Sequence, residues 1–361
     1  MAKFHSLTVS NIRKETDDCV SISFNIPDNL KEEFRFIQGQ YVTLKMNIEG
    51  EELRRSYSLC SSPIAENDFR IASKKVSNGK VSNFLFERLK VGDSLEVMTP
   101  MGNFYSKLDP SHSKNYLLFA GGSGITPVFS IIKTVLNVEK DSTIKLFFGN
   151  KDESSVIFKE ALNDLEKKHS GRFGVYHIFE KPQKPYSPDL TGLLTREKTE
   201  ELLSKHVEMD KPQECFICGP LPMMNNIKDT LEKFQVPKES IHIEYFTTVL
   251  EDIARAEKVE IQNNIPETIS NVTVILDGSE TTFKIKSTGK SILDTCIDND
   301  LDVPFACKGA VCCTCKAKII SGKVTMDMNY ALTSHEVTMG YILTCQSHPQ
   351  SENVTVSYDE I

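Results

Sequence analysis

Cys307, Cys312 and Cys315 stand at the spacing C-x4-C-x2-C, and Cys345 follows after 29 further residues, in YILTCQSHP. Four thiolates so placed suit a plant-type 2Fe-2S cluster, because one loop must wrap the inorganic core while the fourth ligand arrives from another element. Gly309 and Ala310 carry small side chains, which lets backbone amides of the loop approach the sulfurs and offset thiolate charge. A structural zinc site also takes four cysteines. Its usual paired C-x2-4-C knuckles match one triplet plus a distant Cys less well, and it stands as the alternative. Cys313 reads as a small, partly buried thiol outside the ligand set, and Cys296 as a core residue of the preceding helix.

Arg55-Ser56-Tyr57-Ser58 lies on an expected strand, where alternation turns Arg55 and Tyr57 to one side and Ser56 and Ser58 to the other. A flavin needs a flat aromatic wall, a hydrogen-bond donor near its N5, and a cation with a helix N-terminus for its phosphates. Tyr57, Ser58, Arg55 and the helix start at Gly79-Lys80-Val81-Ser82 offer each of these, with Ser82 expected to cap a helix over Val81–Leu89. The alternative is an ordinary barrel strand with Tyr57 in the core and Arg55 solvated. Further on, Ala120-Gly121-Gly122-Ser123-Gly124-Ile125-Thr126-Pro127 follows an apolar strand and opens a helix. Glycines there let the backbone approach a pyrophosphate, and the helix start supplies amides and a favourable dipole. The next strand, TIKLFFG, ends at Asn150-Lys151-Asp152-Glu153-Ser154-Ser155, where an adenosine ribose would be read. An acid there favours NAD and a cation NADP; both are present, and Lys151 with Ser154 tilts the reading to NADPH, NADH being the alternative.

The elements that must position these groups fall into three kinds. From residue 3 to 108, short alternating runs (SLTVS, CVSISFNI, QYVTLKMNI, RRSYSLCS, FRIASKKV, SLEVM) read as an antiparallel β-barrel or sandwich. After Pro110 the pattern becomes strand, glycine turn, helix: NYLLFA then ITPVFSIIKTVL, TIKLFFG then SVIFKEALNDLEKKH, FGVYHIFE, ECFIC then PMMNNIKDTLEKF, and IHIEYF. That alternation implies crossover units and a doubly wound α/β domain. A polar stretch follows, and from Asn271 the strands NVTVIL and TTFKIK, the short helix SILDTCIDND, the cysteine loop, KAKII, YILT and NVTVSYD suit a small α+β domain. The expected division is 1–108, 109–248, a linker 249–270, and 271–361. A chain of 361 residues has room for such a set. Its net charge of −8 disfavours nucleic acid as a partner. The longest apolar run, Tyr116 to Leu136, is interrupted by Gly121, Gly122, Ser123, Gly124 and Pro127, so no membrane span is expected. MAKFHSLTVSNIRKETDD has no basic segment leading into an apolar one, which points to the cytoplasm.

RSYS, then GKVSNF opening a helix, then PMGNF at Pro100–Phe104, resemble the ferredoxin-NADP reductase superfamily, and GGSGITP resembles its nucleotide loop. The resemblance implies that Arg55 contacts the flavin diphosphate with Val81 and Ser82, that Tyr57 stacks on the isoalloxazine, and that Ser58 lies near N5. A second phosphate-binding element after RSYS favours FAD over FMN. Cys218-Gly219-Pro220 resembles the family's second signature, in which Cys and the adjacent backbone face the nicotinamide; a plain buried core cysteine is the alternative. Phe246 matches the aromatic that covers the flavin where the nicotinamide enters, although plant enzymes carry Tyr there and end. With the cysteine motif, the resemblance implies a C-terminal β-grasp ferredoxin domain and an electron path from NAD(P)H to FAD to 2Fe-2S. A hydride carries two electrons and a cluster accepts one at a time, so a flavin between them converts one to the other. An external acceptor is expected, since no H-E-x-x-H or paired E-x-x-H motif marks an oxygen-activating site. CKGAVCCTCKAKIISGKV, MDMNYALTSHEVTMGYILTCQSHP and VTVSYDE resemble reductase subunits of multicomponent oxygenases. These include the group serving phenylacetyl-CoA epoxidase, a di-iron oxygenase, and those serving steroid and fatty-acyl oxygenases. That resemblance implies a di-iron oxygenase component as partner. A desaturase reductase, or a zinc-binding interaction module at the C-terminus, are the other readings.

Overall fold

Strands of the first hundred residues bury runs of side chains in one shared core, as strands closing on themselves do. The computed structural model describes residues 3–208, 213–246 and 268–360. It divides into two compact units: His5–Leu53 with Tyr57–Glu244, and the chain from Tyr245 onward, which takes in Phe4 and Arg54–Ser56.

The first sheet contains β1 (Phe4–Thr16), β2 (Cys19–Asn25), β3 (Tyr41–Ile48), β4 (Glu51–Ser58), β5 (Arg70–Lys74) and β6 (Ser94–Met98), in the order β4-β3-β6-β1-β2-β5. The β1–β2, β2–β5 and β3–β6 pairings are antiparallel. Leu59, just beyond β4, bridges to Ile71 of β5, so the two outer strands meet and the sheet closes. Leu7, Val9, Ile22, Val42, Leu44 and Val97 fill it, and helix α1 (Lys80–Glu87) adds Val81 and Leu85. The expected cap on α1 is corrected. Gly79 is the N-cap and no side chain caps the helix. Ser82 lies inside the first turn, where its hydroxyl accepts the Val76 N–H at 3.1 Å and faces the Gly79 carbonyl.

The second sheet is wholly parallel, in the order β11-β10-β7-β8-β9. Its strands are β7 (Asn115–Gly121), β8 (Thr143–Asn150), β9 (Phe173–Phe179), β10 (Gln213–Cys218) and β11 (Ile241–Glu244); its helices are α2 (Ile125–Val138), α3 (Lys159–Lys168), α4 (Arg196–His206) and α5 (Leu221–Lys233). Strand order reverses at β7, which opens a crevice at the carboxyl ends of β7 and β10. Two helices differ from expectation. The motif REKTEELLSKH of α4 is mostly charged and buries only Thr199, Leu202 and Leu203, too few apolar positions to announce itself by periodicity. Helix α3 starts four residues later than SVIFKEALNDLEKKH suggests, because Phe158 adopts a left-handed conformation (φ 60°) and stacks on Phe129 at 4.6 Å.

The C-terminal unit holds β12 (Ile269–Leu276), β13 (Ser279–Lys286), α6 (Ile292–Asp298), β14 (Lys316–Ser321), β15 (Val324–Met326), α7 (Ser334–Thr338), β16 (Tyr341–Leu343), β17 (Ser347–Pro349) and β18 (Asn353–Ser357). Its main sheet runs β13-β12-β18-β14-β16, with β12 and β18 parallel and the other pairs antiparallel. Asp277 and Gly278, both at positive φ, form the tight turn that the twist of the β12–β13 hairpin favours. Helix α6, capped by Ser291, buries Ile292, Leu293 and Cys296 in one core with Val272, Val274, Val354 and Val356. This is a mixed sheet grasping one helix. Of the expected linker, residues 249–267 lie outside the described residues, and Ile269 and Ser270 already belong to β12.

Candidate functional site

The cysteine loop has no regular secondary structure between Leu301 and β14, and its shape comes from backbone conformation. Lys308 (φ 55°) and Ala310 (φ 63°) are both left-handed, a conformation that costs a non-glycine residue about 1 kcal/mol or more. Alternating left-handed residues turn successive N–H groups to one side, forming a concavity that attracts anions. The Gly309 N–H accordingly reaches Cys307 Sγ at 3.3 Å. The four sulfurs are arranged as two pairs. Cys307 and Cys312 stand 3.0 Å apart, and Cys315 is hydrogen-bonded to Cys345. Cys307 is held below the ordinary thiol range, first by the bond from Cys312 and then, against burial, by the Gly309 and Val311 amides. Cys345 is lowered in the same way by Cys315 and the Ala310 amide. The partner thiols Cys312 and Cys315 are pushed up by those bonds and by burial, and Cys315 feels the charge of the other three.

Two pairs of thiols backed by inward amides fit a two-iron core better than one zinc ion. Cys313 faces the other way, buried in the core with its Sγ on the Ala331 carbonyl at 3.3 Å. Cys296 is fully buried, as expected.

At the carboxyl ends of β7 and β10 the two glycine motifs interlock. A Cβ on Gly124 would lie 2.1 Å from the Cys218 carbonyl oxygen, and one on Gly219 3.0 Å from the Gly121 amide nitrogen. A Cβ on Gly121 would meet the Pro220 ring at 2.6 Å. Gly122 is different: at φ 52° it faces open space, with nothing within 4 Å of its Cβ position. The Thr126 hydroxyl ties the loop to α2 through the Ser123 carbonyl at 3.0 Å, and no side chain caps α2. A helix start without a side-chain cap, beside an open glycine, is what a pyrophosphate needs, so the residues fit a dinucleotide. The Cys218 side chain is fully buried and its thiol is pushed far up by burial and by Glu244, so any role for this residue at a ligand would fall to its backbone.

Beyond β8, Asp152 turns inward. Its Oδ1 accepts from the Ser154 and Ser155 amides, both at 3.0 Å, and from Ser154 Oγ at 2.7 Å. The bond from Ser154 is the main reason its carboxyl stays below the usual range. Lys151 is exposed and, among the described residues, in no ion pair. Asn150, which the sequence did not single out, is 8% exposed with neither amide atom bonded.

On β4, Arg55 is exposed, Ser56 and Tyr57 are half-buried, and Ser58 is buried. Tyr57 packs against the barrel core, and Arg55 Nη1 donates to the Arg54 carbonyl at 2.8 Å. Lys80 pairs with Glu51, which brings the start of α1 beside the first residue of β4. Gly79 is closely packed there: a Cβ would lie 2.6 Å from Ser82 Oγ and displace that hydroxyl. An uncapped helix start carrying Lys80, with the aromatic ring of Tyr57 in the same unit, fits a flavin dinucleotide. Phe246 is half-buried and lies in the C-terminal unit.

Comparison with known proteins accounts for all three regions. Residues 6–105 match the oxidoreductase FAD-binding domain, 118–229 the oxidoreductase NAD-binding domain, and 274–350 the 2Fe-2S iron-sulfur cluster binding domain. The chain is 38% identical to one of the subunits of the 1,2-phenylacetyl-CoA epoxidase of Escherichia coli (strain K12), over 99% of each chain. It is 34% identical to the ferredoxin reductase component of 3-ketosteroid-9-alpha-monooxygenase of Mycobacterium tuberculosis (strain CDC 1551 / Oshkosh), over 98% of this chain and 96% of that one. Phthalate dioxygenase reductase, described as a modular structure for electron transfer from pyridine nucleotides to [2Fe-2S], shares the fold at a TM-score of 0.57 and 22% identity, over 98% of each chain. No helix among the described residues is long and apolar enough to cross a membrane. Uncapped helix starts for two dinucleotides, paired thiols in an amide-lined loop and end-to-end identity to such components agree: the chain belongs to the family of ferredoxin reductase components of multicomponent oxygenases, with FAD-binding, NAD-binding and 2Fe-2S domains in that order.

Proposed function

We propose that this chain is the cytoplasmic reductase of a phenylacetyl-CoA epoxidase system, taking electrons from NADPH and delivering them singly to a di-iron oxygenase component. The observation that carries the reading is the two-by-two arrangement of Cys307, Cys312, Cys315 and Cys345 around inward-turned amides, in a chain alike from end to end to a component of that epoxidase. The proposed domains are 1–108, 109–248 and 271–361, with 249–270 as linker. Bound in them, FAD supplies the exchange between a two-electron donor and one-electron acceptors, and a 2Fe-2S cluster supplies single-electron carriage.

The chain's own residues do the rest. Arg55 and the Val81 and Ser82 amides, with Gly79 and Lys80 shaping the helix start, hold the flavin phosphates; Ser56 stands between Arg55 and the flavin wall. Tyr57 gives that wall and Ser58 a hydrogen bond near N5. Gly121, Gly122 and Gly124 admit the coenzyme pyrophosphate, Thr126 anchors the loop, and the Cys218-Gly219-Pro220 backbone orients the nicotinamide. Phe246 guards the nicotinamide's way in. NADPH is favoured because Asp152 spends its charge inside its own turn while Lys151 remains available for a 2′-phosphate, with Ser154 beside it. Each NADPH releases two electrons and one proton, so two one-electron acceptors are reduced per coenzyme.

An anaerobic absorbance titration with NADPH, and separately with NADH, tests this. The expected result is loss of flavin and cluster colour, at lower concentration with NADPH, together with iron and acid-labile sulfide in equal amounts. Zinc without sulfide, or substrate oxidation by the isolated chain, would overturn the reading.

A further inference from the structure

The two sulfur pairs are not held in the same way. Cys307 and Cys312 lie in one short loop, whose own length sets their separation. Cys315 stands just before β14 and Cys345 in the turn after β16; the pairing of those strands at Lys316 and Leu343 brings the two near, and the bonds beyond the last pair set the final distance. The Thr344 N–H and hydroxyl both donate to the Cys315 carbonyl oxygen, at 3.1 and 2.9 Å. With its proton so placed, the Thr344 hydroxyl accepts from Tyr358 Oη at 2.7 Å. Thr344 and Tyr358 are both 0% exposed, and the Tyr358 N–H is bonded to the Ile275 carbonyl of β12 at 2.9 Å. A dry chain of hydrogen bonds therefore runs from the central sheet, through a tyrosine ring and a threonine, to the backbone of one cysteine and the neighbour of another. In such surroundings each bond reinforces the next, and losing one leaves a buried polar group unpaired.

We propose that Thr344 and Tyr358 are positioning residues that set the Cys315–Cys345 spacing and so govern how firmly the cluster is retained, an inference that rests on reading the four cysteines as its ligands. Neither residue touches a reacting atom. If the two only filled space, Tyr358→Phe and Thr344→Val, which keep the shape, would leave the cluster undisturbed. If they position Cys315 and Cys345, loss of either hydroxyl loosens that pair and leaves Cys307 and Cys312 as they were.

The test uses the full chain reconstituted with iron, sulfide and FAD. Iron release to a chelator is followed by the loss of cluster absorbance, and the dithionite-reduced protein is examined by EPR. Tyr358→Phe and Thr344→Val should release iron roughly tenfold faster than the unmodified chain, the scale of one buried hydrogen bond, with altered g values. Thr344→Ser keeps the hydroxyl and should restore release to within about twofold. Val354→Ala, a cavity in the same sheet, should lower Tm without changing release. In the metal-free chain, amides of Leu343–Gln346 should lose hydrogen-exchange protection in Tyr358→Phe. Release at the unmodified rate in Tyr358→Phe and Thr344→Val, failure of Thr344→Ser to rescue, or release that merely follows Tm across all the variants, Val354→Ala included, overturns the proposal. An unmodified chain that takes up no sulfide overturns the ligand reading itself, and the two failures are thereby told apart.

Discussion

Replacing Gly124 by alanine should uncouple the chain from its coenzyme while sparing its other cofactors. The added Cβ would sit 2.1 Å from the Cys218 carbonyl oxygen and 2.5 Å from its carbon, where ordinary contact begins at 3.4 Å. Both atoms are backbone, so no rotamer change relieves the clash, and the start of α2 must move from the end of β10 by the 1.3 Å that separates 2.1 from 3.4 Å. Overpacking of this kind costs roughly 1–3 kcal/mol, and a displacement near 1 Å in a positioning loop lowers rate by about a hundredfold. The assay is anaerobic stopped-flow reduction of the flavin by NADPH, with dithionite reduction of flavin and cluster as the reference. Gly124→Ala should slow the first by roughly two orders of magnitude and leave the second unchanged. Gly174→Ala, in β9 of the same sheet, has its nearest neighbour 4.0 Å away and should change neither. A Gly124→Ala protein that NADPH reduces at the normal rate would show that close approach of the two loops does not shape the coenzyme site.

Other outcomes follow from the same geometry. Cys313→Ser should keep the full complement of iron and sulfide, since Cys313 Sγ points to the Ala331 carbonyl, whereas Cys312→Ser should lose it; metal and sulfide analysis of the two variants decides. Lys151→Glu should lower kcat/KM for NADPH by about tenfold or more while leaving that for NADH within a few fold, the scale of one charged contact to a phosphate; equal loss with both coenzymes would remove Lys151 from the 2′-phosphate reading. His177 titrates at about 4 rather than 6.5, because burial and then Lys159 disfavour its charged form. The unfolded chain therefore binds the proton first. The stabilisation is complete above the unfolded value and is lost as pH falls from 6.5 toward 4, by roughly 3 kcal/mol in all. Urea denaturation of the chain and of His177→Leu at pH 7 and pH 5 should show a smaller loss of stability in the variant.

What the sequence disclosed and what it withheld divide along physical lines. The barrel strands, the parallel strands and the glycine loop were legible because alternation and apolar runs are local signals, and each expected strand is present. The cysteine spacing was legible because ligand geometry restricts it. Helix α4 was not, since its burial of Thr199, Leu202 and Leu203 depends on neighbours distant in sequence. Ser82 looked like a cap by residue type alone; the helix begins two residues earlier, and the hydroxyl serves the preceding turn instead. Lys308 and Ala310 gave no hint of their left-handed backbone, because neither residue type favours it. Thr344 and Tyr358 were equally silent. A buried hydroxyl network exists only once β12, β16 and β18 have been brought together, and no window of sequence contains it.

One physical device recurs at all three cofactor regions, and it explains how a chain with a net charge of −8 can serve three anionic groups. On the proposed assignment the uncapped start of α1 would face the flavin phosphates, the uncapped start of α2 the coenzyme pyrophosphate, and the concavity around Lys308 and Ala310 the thiolates. In each case the attraction comes from backbone N–H groups, whose partial charges do not appear in a count of Lys and Arg. Formal charge is thereby left free for other uses. The C-terminal residues 271–361 carry 7 Lys against 11 Asp and Glu, an excess that the cluster loop tolerates because amides, and not side-chain cations, face its sulfurs. A loop that relied on lysines would be neutralised by those same acids and would weaken with salt, whereas inward-turned amides in a buried loop are screened far less.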